Sequence, residues 1–260
     1  MNQKAVYSKV ATDLFWIQLF WSLGFLGVMF VIHIIKVILG SINGNEINNY
    51  FSIVYVAANI FMLVIGIMST YGFLGFYVGN GVTRRDYFKG ATLSTIGLSF
   101  ALPIIASIVS VLERLFINLT NLYTVDSNPF VSKGMEEDSN LLADIIISII
   151  ISPFVDLHSN WLLAILIFAL NLLTYFIVGW FIGTSFYRFD ILIGLGAVLL
   201  SIVILFTADG LLNVALNLPV HEVFTSLSLS LPVSTLAILI MLGIILWVIR
   251  VMTKKVAVKL

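Results

Sequence analysis

The residues able to do chemistry in this sequence are few, and the densest group lies between two long apolar runs. Gly79–Gly90 (GNGVTRRDYFKG) holds Arg84, Arg85 and Lys89 within six residues. Thr83-x-x-Asp86 has the spacing of a helix start. There the Thr hydroxyl accepts from a backbone N–H of the first turn, and the carboxylate sits at the positive end of the helix dipole. The stretch reads as a tight glycine turn, then a short helix carrying Tyr87 and Phe88 along a membrane surface. Short basic loops set membrane topology. One this compact, in so apolar a chain, also suggests a docking element.

Other reactive patterns are missing. There is no cysteine, which excludes disulfides, thiolate nucleophiles and Cys-ligated zinc or iron–sulfur clusters. The sequence has no G-x-x-x-x-G-K-[ST] phosphate loop, no H-E-x-x-H and no G-x-S-x-G. His33, His158 and His221 are far apart, and three unrelated interfacial histidines are expected in preference to a metal site at His158 and His221. Glu136-Glu137-Asp138 reads as a solvated acidic patch. Few ionisable residues fall at mid-span depth, which argues against a proton relay or an ion-coupled carrier.

The elements that must position these residues are membrane helices. The 260 residues are 60% hydrophobic and 10% charged, where a soluble domain carries about 25% charged residues. An all-α, polytopic membrane protein is expected, with one transmembrane domain over 1–260. Spans are predicted at 15–40, 51–78, 91–112, 161–184, 191–208 and 232–251, close to the roughly 20 residues a bilayer requires. Leu14–Leu39 is too long for a signal-peptide core and reads as a retained span. Residues 1–14, with Val6, Val10 and Leu14 recurring, suggest a short interfacial helix. His33 and Lys36 are expected to snorkel outward. Pro103 predicts a kink, and Gly179-Trp-Phe-Ile-Gly183 allows close helix packing. Section 113–160 is polar, and its apolar part Leu141–Val155 is too short to span, so it reads as re-entrant or interfacial. Ser185–Asp190 is a tiny turn. Residues 209–230 suggest one or two short helices dipping into the membrane surface.

Charge predicts orientation. Lys4, Lys9, Arg84, Arg85, Lys89, Arg188, Arg250, Lys254, Lys255 and Lys259 fall on one side of this topology, ten of the thirteen Lys and Arg residues. The basic side is cytoplasmic by the positive-inside rule, which places both termini inside and 113–160 outside.

These features together resemble the permease subunits of ABC-2 type transporters of bacterial cell membranes. Asn80-Gly-Val-Thr-Arg-Arg-Asp-Tyr-Phe88 is similar to a G-x-[ST]-R-x-x-[FY]-[FY] pattern in that family, where the segment is a coupling helix seated on a separate ATP-binding subunit. The resemblance implies that Thr83, Arg84, Arg85, Asp86, Tyr87 and Phe88 contact that ATPase, with the arginines on carboxylates and the two rings in an apolar pocket. Tyr187 and Arg188 would form a second, smaller contact. It implies re-entrant helices at 209–230, no cofactor on this chain, and ATP and Mg on the partner. The chain would then be a transport subunit and not itself an enzyme. A second permease copy or paralogue would complete the pathway within the lipid, and nucleic acid would play no part. Phe20, Trp21, Phe25, Phe176 and Trp180 are candidates to line an apolar cavity. Family members of this length suggest export of hydrophobic or amphipathic, antimicrobial or toxin-like peptides. The alternatives are a permease for lipid or polysaccharide, or a membrane-embedded enzyme or sensor without an ATPase, using 136–138 as its ligand site.

Overall fold

The computed structural model describes residues 6–43, 47–120, 125–126, 153–157 and 159–254. The fold is all-α. The described residues contain six helical stretches long and apolar enough to cross a membrane, which makes the chain a multi-pass membrane protein. The α-helices are labelled α1 (Val6–Asn43), α2 (Tyr50–Met68), α3 (Gly75–Gly79), α4 (Arg84–Thr120), α5 (Trp161–Arg188), α6 (Ile191–Leu216) and α7 (Leu231–Thr253), α2 and α3 together making one of the six stretches. A π-helical segment, Ser69–Leu74, joins α2 to α3 as one continuous rod. Ile47–Asn48 and Val125–Asp126 form a two-residue parallel bridge.

Helix α5 is the axis. It packs against α2, α4, α6 and α7, while α1 lies at the edge, mainly on α4. Little hydrophobic force separates helix from lipid, so small residues that let backbones approach hold such bundles together. The α2–α5 seam follows this rule. A Cβ on Gly179 would stand 2.1 Å from the Leu63 carbonyl oxygen, one on Gly183 2.6 Å from that of Ile67, and one on Gly66 2.2 Å from that of Phe176. The small-residue spacing at 179–183 is thus the packing seam. Asn49 caps α2 by accepting from Ser52 N–H at 2.8 Å, and Asn160 caps α5 by accepting from Leu163 N–H at 3.1 Å. Both satisfy donors that a helix start leaves unpaired.

Several boundaries differ from those the sequence predicts. Residues 6–14 are not a separate interfacial helix but the first turns of α1, which buries Val10, Ala11 and Leu14. The third span begins at Arg84, not near 91, and continues through Pro103 to Thr120. Glu113 therefore sits in a helix and not in a loop. Ser185–Arg188 belongs to α5, and the turn is Phe189–Asp190. Asp209–Leu216 belongs to α6, leaving a single short 3₁₀ turn at Glu222–Phe224 where one or two dipping helices were expected. Physically, a helix continues while its backbone can bond to itself, and in lipid the cost of stopping is high, so isolated polar residues do not end it. Of the Leu141–Val155 stretch, only Pro153–Val155 is described, and it is non-helical. Glu136–Asp138 and His158 lie outside the described residues.

A candidate docking end of the bundle

Four connections meet at one end: the start of α1, the α3–α4 turn, the α5–α6 turn and the end of α7. The α3–α4 turn is built as follows. Gly81 has φ +83°, a conformation open to glycine at little cost. Its N–H donates to the Val78 carbonyl at 3.1 Å, and the Val82 N–H donates to that of Tyr77 at 3.0 Å. This pair of bonds closes a helix at a left-handed glycine. Thr83 then opens α4. Its hydroxyl accepts from Asp86 N–H at 3.1 Å and donates to the Asp86 carboxylate at 2.7 Å, as the Thr-x-x-Asp spacing predicts.

The remaining loop residues divide between inside and outside. Tyr87 is 1% exposed. Its hydroxyl donates to the Ser69 carbonyl at the start of the π segment, and its ring lies 5.8 Å from that of Tyr77. Phe88 packs 5.3 Å from Trp180, with the Arg250 guanidinium 5.5 Å over its ring. Tyr87 is thus enclosed in the chain's own interior, and Phe88 packs against it partly buried. Arg85 and Lys89 are exposed, one helical turn apart. The Lys89 ammonium stands 5.5 Å from the Tyr7 ring centroid.

Arg84 and Arg188 grip α7. Arg188 Nη1 donates to the carbonyls of Met252 at 2.6 Å and Val251 at 3.0 Å. Arg84 Nη1 reaches that of Lys254 at 3.4 Å, and Arg250 Nη1 donates back to the Arg84 carbonyl at 3.2 Å. Carbonyls at a helix C-terminus lack intrahelical donors and carry the negative end of the dipole, so guanidinium groups suit them. Tyr187 is buried and meets Tyr71 edge-on at 5.5 Å. Two carboxylates nearby are engaged by hydroxyls, Asp86 by Thr83 and Asp13 by Tyr77 at 2.5 Å, while Asp190 in the α5–α6 turn is exposed. Among the described residues the one ion pair is His33–Glu113, at the other end. The basic end therefore presents Arg85 and Lys89 with no carboxylate of the described residues in salt-bridge reach.

The five cavity candidates are not brought together. Phe176 and Trp180 are enclosed in the core, Phe20 and Trp21 face outward, and Phe25 stacks on Phe61 at 4.5 Å. An apolar groove lies elsewhere, lined by Phe181 of α5, Leu200 and Ile204 of α6 and Ile240, Met241 and Ile244 of α7.

Two polar groups inside the bundle escaped sequence reasoning. His33 does not snorkel outward; it is 3% exposed and paired with Glu113 at 2.6 Å. Tyr55 accepts from Asn171 and donates to the Pro153 carbonyl, and on α6 the buried Asp209 accepts from Asn213 at 3.0 Å. The available signals were Glu113 in SVLERLF and Asp209 in LFTADGLL, single acids inside apolar runs. His221 caps the 3₁₀ turn through Val223 N–H at 3.4 Å, and no metal-holding cluster of His and carboxylates occurs among the described residues. The chain matches no protein-family model, no curated protein and no solved structure.

Proposed function

We propose that this chain is the membrane-embedded permease subunit of an ATP-driven exporter of the ABC-2 kind. The basic end would face the cytoplasm of a bacterial cell and dock a separate ATP-binding subunit. The observation that carries this reading is the pair Arg85 and Lys89: two exposed like charges on one face of a capped helix, with no described carboxylate within salt-bridge distance. Like charges one turn apart destabilise a helix by a few tenths of a kcal/mol, and carboxylates on a partner would reverse that sign. Behind them, Arg84, Tyr87, Phe88 and Arg188 tie the docking turn to α5, α7 and the π segment, so a push on the turn reaches the helices. The cargo proposed is hydrophobic or amphipathic, peptides foremost, and a second copy or paralogue would supply the other half of the pathway.

The test is affinity purification of the tagged chain in mild detergent, identifying whatever accompanies it. Arg85→Glu with Lys89→Glu should lose a co-purifying ATP-binding subunit while the permease keeps its unfolding temperature. A chain that purifies alone before any substitution sinks the proposal.

A further inference from the structure

The stretch of α1 beyond Gly27 is loosely held: Met29 packs partly buried against the core, the Phe30 ring meets Tyr50 edge-on at 5.8 Å, and a single side-chain pair fastens it by polar contact. Between residues 28 and 40 only His33 is buried, whereas residues 6–27 bury Val10, Ala11, Leu14, Gln18, Ser22 and Leu26. His33 Nε2 lies 2.6 Å from Glu113 Oε1 of α4, and the other Glu113 oxygen accepts from Tyr50 N–H, at the start of α2, at 2.9 Å. One side-chain pair thus joins three helices, where burying charge is expensive and leaving it unpaired more so. Just before this stretch stand Gly24 and Gly27. A Cβ at either would meet nothing within 4 Å, so neither glycine serves close packing. Each weakens the helix by about 1 kcal/mol relative to alanine. Between them the Leu26 carbonyl accepts the Tyr50 hydroxyl at 2.9 Å. A fixed point, two soft residues and one distal polar fastening make a hinged arm.

We propose that residues 28–40 form a lateral gate, hinged at Gly24 and Gly27 and latched by His33–Glu113. Swinging the arm opens the α1–α4 seam to lipid. Val28, Val31, Ile35 and Ile38 already face outward, so the arm stays in hydrocarbon wherever it stands. In the exporter proposed above, this seam is where an apolar cargo passes between bundle and bilayer; the gate itself does not depend on that role.

The chain has no cysteine, so paired nitroxide labels can be placed at chosen sites and their separation measured in lipid nanodiscs, with no ATPase present. Ile35→Cys with Leu115→Cys reports the arm, and Phe20→Cys with Ile96→Cys reports the half of α1 before the hinge. His33→Leu combined with Glu113→Leu removes the latch without stranding a charge, and in lipid an apolar pair supplies little replacement attraction. The expected result is a second, longer distance population at the arm pair, no change at the other pair, and a return to one population when Gly24→Ala and Gly27→Ala are added. An unchanged arm distance, equal broadening of both pairs, or no recovery with the alanines overturns the gate. Because no partner is needed, its failure is distinguishable from failure of the docking test.

Discussion

Thr83 and Glu113 each hold a helix start through a side-chain oxygen, and they differ in what their loss should cost. Thr83→Ala removes an N-cap at the surface and is expected to lower stability by about 1 kcal/mol, with Thr83→Ser retaining most of it. Thermal unfolding of the purified chain in detergent checks this. Glu113→Leu strands a buried imidazole and a backbone N–H, for which about 3–5 kcal/mol is expected. The His33→Leu/Glu113→Leu double variant should be less damaged than Glu113→Leu alone, and denaturant titration of the single and double variants measures the coupling. The Thr83 cap was legible from four residues of sequence because the capping rule is local. The Glu113 pairing was not, since its partner lies 80 positions away and a carboxylate at the expected edge of a span reads as a loop residue.

At the scale of helices, the glycines of the α2–α5 seam and those facing open space should respond oppositely to the same methyl group. Gly179→Ala forces a Cβ to within 2.1 Å of the Leu63 carbonyl oxygen, so the backbones must separate, and overpacking of this kind costs about 1–3 kcal/mol. Gly243→Ala meets nothing within 4 Å and should stabilise α7 by up to about 1 kcal/mol. Unfolding of the two variants side by side decides whether the seam holds the bundle. Arg188→Gln should speed amide hydrogen exchange in the last turn of α7 and leave the first turn unchanged, because the bonds it removes are to the Val251 and Met252 carbonyls. Helix existence was readable from hydropathy alone. Helix ends were not: the predicted breaks at 14, 91 and 208 follow polar residues, and in each case the helix ran on past them.

For the molecule as a whole, the expected orientation rests on the separation of charge between its ends. With single cysteines introduced into this cysteine-free chain, Arg85→Cys should react with an impermeant thiol reagent only in opened cells, and Lys36→Cys in intact ones. The reverse pattern would turn the topology over. The bundle and the α3–α4 turn were legible because composition and capping are written in consecutive residues. The burial of Tyr87 was hidden because it depends on which helices flank it.

The grip of Arg84 and Arg188 on α7 also has a consequence in time. The arginines sit on α4 and α5, and the carbonyls they hold belong to a helix that the ribosome delivers later. Until α7 has been made and inserted, both guanidinium groups lack these acceptors and Phe88 lacks the cation above its ring. A nascent chain therefore has no finished basic end, and completion of α7 is the event that closes it.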